Sequence, residues 1–297
     1  MAKRMLLDTS SLLYRAYFAL PDSIKDPKGR PVNAVHGYLD MVARLLRDRG
    51  PDEIVHCLDD DWKPAGRVAA YEDYKSQRAE EPDDLTEQFE LLAEVLGLLG
   101  MVQAWAPEWE AEDAIGTLCA LAPKRDRIDI VTGDRDLLQL VRDPWVRVLI
   151  TRRGVSDLPE MDEAAVEEKY GVPPSRYADF AILRGDPSDA LPGVIGVGEK
   201  TARALVKAYD SLDEMLQDAQ AERSSRKPLK GSPGLKSRVA GAVDYIASMR
   251  DVVPIRTDLE IVEEVTEPDD AALDRLAKRR RLEGPVRRVR EARARKG

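Results

Sequence analysis

Histidine and cysteine are nearly missing from this sequence. Its 297 residues contain two of each, His36, His56, Cys57 and Cys119. That excludes a disulfide framework and makes a Cys- or His-based zinc centre a poor fit. The two cysteines lie in apolar surroundings, and a reduced, cytoplasmic setting is expected. Aromatic residues are scarce at 5%, with three phenylalanines. No long run is free of charge. The most apolar stretch, Phe89 to Trp105, is interrupted by Glu90 and Glu94, so no segment is expected to span a membrane. The N-terminus shows no basic leader followed by an apolar core.

Charge is what the chain has in quantity: 34% of residues are charged, against 43% hydrophobic, with a net charge of −9. The length suits one large domain or two modest ones with a real core. The charge is unevenly spread. From Lys278 to Lys296 there are ten basic and two acidic residues, so this stretch carries +8 and the rest of the chain −17. An acidic body argues against a general polyanion binder, unless cations offset the acid locally.

The apolar pattern predicts alternating strands and helices. Met5–Leu7, Ile54–Leu58, Ile128–Thr132 and Val146–Ile150 read as buried strands. Val35–Leu46, Leu85–Leu99 and Ala111–Ala122 read as helices, and another follows Asp134 through Val141. Such alternation implies a largely parallel α/β sheet, whose ligands gather beyond the carboxyl ends of its strands. Asp8, Asp59 and Asp134 each stand at such an end. From about Tyr170 the pattern turns helical, with helices expected over Lys200–Tyr209 and Val239–Arg250. Ala221–Lys236 reads as a mobile basic loop.

Acids recur in short clusters: Glu110-Ala111-Glu112-Asp113, Gly133-Asp134-Arg135-Asp136 and Gly185-Asp186-Pro187-Ser188-Asp189. Carboxylates gathered in one place repel each other unless a cation neutralises them. Oxygen-only ligands favour Mg²⁺ or Mn²⁺. Local structure can also call for acids at these places. Asp8 and Asp134 suit helix caps, Glu110 and Asp113 suit an acidic first turn, and Asp186 and Asp189 suit Asx turns. For Asp186 and Asp189 position favours ligation, because their cluster runs into Leu191-Pro192-Gly193-Val194-Ile195-Gly196-Val197-Gly198-Glu199-Lys200-Thr201-Ala202. Glycines let a backbone approach closely, and the amides opening a helix attract phosphate oxygens. Lys75 and Arg78, with Arg67 upstream, are candidates to hold a phosphate near the acids.

Taken together these motifs resemble the 5′-nuclease family, which includes flap endonucleases and the 5′→3′ exonuclease domain of bacterial DNA polymerase I. Leu7-Asp8-Thr9-Ser10-Ser11-Leu12-Leu13-Tyr14-Arg15-Ala16 and Tyr74-Lys75-Ser76-Gln77-Arg78 carry the likeness, with the three acid clusters and Leu191–Ala202. It covers residues 4 to 265 in consistent order. The resemblance implies a PIN-like (resolvase-like) α/β domain over 1–168, with a helical arch around 65–90. A helical domain over 169–266 follows, with a helix–three-turn–helix grip of the helix–hairpin–helix kind. Residues 267–297 are left as a basic tail with the composition of a disordered end.

It also implies carboxylate ligands at Asp8, Asp59, Glu110, Glu112, Asp113, Asp134, Asp136, Asp186 and Asp189 for two Mg²⁺ or Mn²⁺ ions, with a third as an outer option. Lys75 and Arg78 match the basic pair at the scissile phosphate. Gly193, Gly196, Gly198, Lys200 and Thr201 match the hairpin that binds duplex backbone, where the family often holds K⁺. The implied activity is 5′→3′ exonuclease or 5′-flap endonuclease action on flap, nicked or 5′-ended DNA in replication and repair, by a monomer without membrane attachment. Three departures stand out. Glu112 replaces the usual Asp, Ala190 replaces the usual Asn, and three aspartates follow the second strand, leaving Asp60 as an alternative to Asp59. A PIN-type ribonuclease and an inactive branched-DNA scaffold are the competing readings.

Overall fold

The computed structural model describes residues 2–78, 81–152 and 154–295. Residues 79–80 of the expected arch and the last two residues of the expected tail lie outside them. The first half alternates as the apolar pattern requires. β1 (Lys3–Asp8) leads into α1 (Thr9–Ala19) and α2 (Asn33–Arg49), then β2 (Glu53–Cys57), α3 (Ala65–Ala70), α4 (Asp83–Leu98) and β3 (Val102–Trp105). α5 (Ala111–Leu121), β4 (Arg127–Thr132), β5 (Val146–Ile150) and β6 (Glu160–Met161) follow.

The sheet order is β6-β5-β4-β1-β2-β3, closed on the far edge by β7 (Val262–Glu264). β5, β4, β1, β2 and β3 are mutually parallel, and the two outermost strands run antiparallel. β4, β1 and β2 are immediate neighbours, so the acids that end or follow them share one edge.

Side chains alternate across the sheet with period two. Leu6, Val55, Cys57, Ile128 and Ile130 join the core on one face; Met5, Leu7, Ile54 and Val131 join the core on the other. The first face is covered by α5, and its core runs on into the helices of the second half: α6 (Glu163–Tyr170), α7 (Tyr177–Arg184), α8 (Glu199–Ala208), α9 (Leu212–Gln220), α10 (Pro233–Ala240) and α11 (Val243–Val252).

Several expectations needed correction. The helix expected over Leu85–Leu99 forms as α4, but the strand that follows it was not expected; Gly100 divides them at φ +62, where a side chain would meet Pro268 Cγ at 2.6 Å. β3 therefore begins at Val102, too short a strand to register in the apolar pattern. The segment after Asp134 is a 3₁₀ turn, Asp136–Leu140. Residues 239–250 form not one helix but the end of α10 and most of α11, divided at Gly241-Ala242. The basic stretch over 221–236 is not simply a loop, because Pro233 opens α10 with Ser232 as its cap.

The largest correction concerns the C-terminal tail. It folds into α12 (Asp270–Arg280) and α13 (Glu283–Ala294). Leu273, Leu276, Leu282, Val286 and Val289 are buried in the same core as Val35, Leu39 and Val42 of α2. Many of its arginines face acids of the chain itself. Arg280 Nη1 lies 2.9 Å from Asp26 Oδ2, Arg288 Nη2 2.6 Å from Asp40 Oδ1, and Arg290 reaches Asp270 and Asp274. Arginine content suggested disorder, yet the apolar residues recur every three to four positions and supply a buried face.

Candidate active site

Asp8 closes β1 and caps α1. The Ser11 amide donates to its Oδ1 at 3.1 Å and the Thr132 hydroxyl to its Oδ2 at 2.6 Å. Burial pushes its carboxyl up to about 7; the Thr132 bond opposes the shift, while Asp59 and Asp134 add to it. Asp59 follows β2, and its Oδ1 accepts the Ala111 amide at 2.7 Å, tying β2 to the start of α5. Burial raises its carboxyl as well. Asp60 turns away to the surface, where its Oδ2 accepts the Glu108 amide at 2.7 Å.

The second cluster holds the main surprise. Arg67, expected on DNA, is 1% exposed and lies among the acids of α5. Its Nη1 stands 3.2 Å from Glu110 Oε1 and 3.0 Å from Glu112 Oε1, and its Nη2 is 2.9 Å from Asp113 Oδ1. The Nη2 contact is a hydrogen bond; the Nη1 contacts lack that geometry and act through charge alone. Trp109 and Tyr74 each place a ring 5.9 Å from the guanidinium. Burial alone would favour loss of the Arg67 proton, but Glu112, Glu110 and Asp113 outweigh it and hold the cation firmly. A fully buried guanidinium cannot reach a nucleic acid, so the DNA-contact expectation for Arg67 is withdrawn.

Lys75 is also drawn in. It is 5% exposed, and its Nζ donates to Glu110 Oε2 at 2.6 Å. Its φ of +52 is unusual for a side-chain-bearing residue. Tyr74 donates to Glu110 Oε1 at 2.8 Å. Burial raises the Glu112 and Asp113 carboxyls, with Arg67 pulling the other way. Asp113 also accepts the Arg256 amide at 2.9 Å, and its buried Oδ2 has no hydrogen-bond partner among the described residues.

The third and fourth groups meet at the same edge. Asp134 Oδ1 accepts the Asp136 amide at 2.9 Å, an Asx turn that leads into the 3₁₀ segment. Asp136 has no such duty. Its Oδ1 is buried with no hydrogen-bond partner among the described residues, and burial, with Asp134, Asp186 and Asp189 close by, pushes its carboxyl well above the usual range. Asp186 takes up an Asx turn with Ser188, its Oδ1 accepting the Ser188 amide at 3.0 Å; its Oδ2 lies 3.3 Å from Arg184 Nη2. Asp189 Oδ1 pairs with Arg78 Nη2 at 2.7 Å, and its carbonyl accepts the Lys75 amide at 3.0 Å. Burial raises the Asp189 carboxyl against the pull of Lys75 and Arg78. Among the described residues, no three His, Cys, Asp or Glu side chains approach closely enough to enclose an ion. Arg67, Lys75 and Arg78 stand between them as internal counter-charges.

The glycine hairpin follows directly. Gly185 and Gly193 pack backbone to backbone; a side chain on Gly193 would meet the Arg184 carbonyl carbon at 2.5 Å. The Gly193 amide donates to the Tyr245 hydroxyl at 2.9 Å, and that hydroxyl reaches the Ile182 carbonyl at 3.2 Å. Val194 and Val197 anchor the hairpin in the core, leaving Ile195 80% exposed at its tip. Gly196 adopts φ +71, and a Cβ there would lie 3.0 Å from Arg238 Nε. Gly198 caps α8, whose first turn carries the exposed Lys200 and the half-buried Thr201. Sequence reasoning missed Tyr245, Arg238 and Thr132. Only Thr132 had a signal, its place directly before Gly133-Asp134.

Residues 3–171 match the family described as the 5′-3′ exonuclease N-terminal resolvase-like domain, and residues 172–276 match its C-terminal SAM fold. A 5′-3′ exonuclease of Streptomyces coelicolor is 43% identical over 96% of this chain and 98% of its own length. One from Mycobacterium tuberculosis is 40% identical over 86% of this chain and 85% of its own. The similarity to M. tuberculosis DNA polymerase I, 43% over 80% of this chain, covers 26% of that protein. Among solved structures, the T5 D15 protein co-crystallized with metal ions superposes with TM-score 0.67 at 16% identity, covering 97% of this chain and 98% of that one. The catalytic core of Rad2 in complex with DNA substrate superposes with TM-score 0.62 at 18% identity, covering 100% and 93%. Among the described residues no helix is long and apolar enough to cross a membrane.

Proposed function

The chain belongs to the 5′-3′ exonuclease family, and from that premise we propose that it is a divalent-metal-dependent nuclease that hydrolyses DNA phosphodiesters at 5′ ends, nicks and 5′ flaps. The observation that carries this reading is the convergence of Asp8, Asp59 and Asp134 from three adjacent parallel strands, with two further acid groups around them.

The donor set fits a hard cation. The side chains offered are carboxylates, with no His or Cys among them, which suits Mg²⁺ or Mn²⁺. The buried Oδ1 of Asp136 has no hydrogen-bond partner among the described residues, which leaves it free to ligate. Asp8, Asp59, Glu110, Glu112, Asp134, Asp136, Asp186 and Asp189 are the residues that would hold the ions, with Asp113 anchoring Arg67 and the Arg256 backbone behind them. Bound divalent ions would activate a water molecule and offset charge on the phosphodiester.

The chain's own groups have distinct tasks. Lys75 and Arg78 lie on one turn beside Glu110 and Asp189; Arg78 is open to a phosphate, and Lys75 would reach one by leaving Glu110, so that the pair draws the scissile bond to the acidic edge. The hairpin at Gly193, Gly196 and Gly198, with Lys200 and Thr201, grips duplex backbone without reading bases, and its carbonyls suit K⁺. We infer that the protein works as a monomer on DNA in the cytoplasm, in replication and repair.

Replacing Asp134 by Asn and assaying 5′-flap, nicked, single-stranded DNA and single-stranded RNA with Mg²⁺ tests the reading. Loss of flap cleavage with duplex binding retained is expected. Undiminished cleavage, or a preference for RNA, would overturn it.

A further inference from the structure

Thr132 closes β4 and is wholly withdrawn from solvent. Its Oγ1 donates to Asp8 Oδ2 at 2.6 Å and accepts the Asp134 amide at 2.8 Å. One hydroxyl thus joins the ends of two neighbouring strands at the two acids they deliver. Thr132 is itself fixed from the far side, because its carbonyl accepts both the amide of Thr151 at 2.8 Å and its hydroxyl at 3.2 Å.

A second strap runs alongside. The Gly133 amide donates to Ser11 Oγ at 2.9 Å, and the Ser11 amide holds the other oxygen of Asp8. A Cβ at 133 would meet Arg15 Nη2 at 2.9 Å and Ser11 Oγ at 3.0 Å, so a side chain there would displace both. Both oxygens of Asp8 are therefore held by groups whose own positions are fixed. A hydroxyl can donate to a carboxylate and accept an amide at once. Valine, of nearly the same shape, can do neither.

We propose that Thr132 is a positioning residue whose hydroxyl sets Asp8 and Asp134 in mutual register for divalent-cation binding. The proposal rests on the metal-dependent reading above. Groups that orient metal-binding side chains from behind typically change affinity or activity by about 10–100-fold when removed.

The test compares the full-length protein with Thr132→Val and Thr132→Ser, using calorimetric Mn²⁺ binding, melting in EDTA, metal-free duplex binding, and kcat and KM on a 5′ flap. Thr132→Val should bind Mn²⁺ about 10–100-fold more weakly and lose kcat, with KM for DNA and duplex affinity near wild type. Thr132→Ser, which restores the hydroxyl, should recover Mn²⁺ binding. Wild-type Mn²⁺ affinity in Thr132→Val would overturn the proposal, as would an equal loss in Thr132→Ser. Should Thr132→Val not fold, Thr132→Ala against Thr132→Ser gives the same contrast. A wild-type protein that neither binds Mn²⁺ nor cleaves would instead remove the metal-dependent reading itself.

Discussion

Arg67 Nη2 lies 2.9 Å from Asp113 Oδ1, and both side chains are buried to within 1% of completely. This pair locks α3 to α5 and brings one positive charge to three acids. Its consequence is structural. Arg67→Met should cost about 3–5 kcal/mol of stability, because removing one partner strands buried charge. Urea denaturation measures the loss. Metal-free duplex binding, assayed where the variant is folded, should stay close to wild type. A large loss of DNA affinity without loss of stability would return Arg67 to the DNA surface.

Lys200 is the opposite case, an exposed cation in the first turn of α8 behind the glycine hairpin. Lys200→Ala should weaken duplex binding uniformly across sequences and reduce the slope of log affinity against log salt by about one. Fluorescence anisotropy over a range of KCl concentrations reads both. Identical slopes in the two proteins would exclude a phosphate contact.

His56 is fully buried in β2, with Nδ1 2.6 Å from the Tyr38 hydroxyl and Nε2 without a hydrogen-bond partner among the described residues. Burial lowers its pKa from 6.5 to about 3. The unfolded chain therefore takes up this proton first. The stability that neutral His56 contributes is complete above about pH 6.5 and falls as pH drops toward 3, by about 1.4 kcal/mol per unit. Carboxyls with raised pKa, such as Asp8, act in the opposite sense, so the difference between proteins is the informative quantity. His56→Asn should lose less stability than wild type between pH 6.5 and pH 4.5 in denaturant titrations. Parallel curves would show that His56 does not titrate in this way.

The C-terminal helices make a fourth prediction. Asp26 has a fully buried side chain, and burial would raise its carboxyl. Bonds from Arg280, Arg30 and the Lys28 amide outweigh that effect and hold it well below the usual range. Arg280→Ala should cost on the order of 1–3 kcal/mol by depriving that charge of a donor. Truncation after Glu267 should cost more, since it also uncovers the apolar face of α2. Cleavage per folded molecule should change little in either variant. If truncation left the melting temperature unaltered, the packing of α12 and α13 on α2 would be wrong.

How much of this was legible in the chain differs from residue to residue. Asp8, Asp59 and Asp134 could be placed because buried strands end abruptly in acid, and a parallel sheet puts such ends on one edge. The hairpin could be placed because Gly193 and Gly196 need left-handed backbone and Gly198 opens a helix. Arg67 was misassigned because nothing in Pro64–Ala70 distinguishes a cation facing solvent from one facing α5. The C-terminal helices were missed because arginine dominates the composition, and its partners Asp26 and Asp40 lie more than 240 residues away.

Local patterning by itself determined the alternation of strands and helices, the acidic strand ends and the glycine turn, since each depends on neighbours within a few residues. Folding in three dimensions decided which cations neutralise which acids. Coulombic and hydrogen-bonding partners are chosen by proximity in space, and only the folded chain brings Thr132 to Asp8, Arg67 to Asp113 and Arg280 to Asp26.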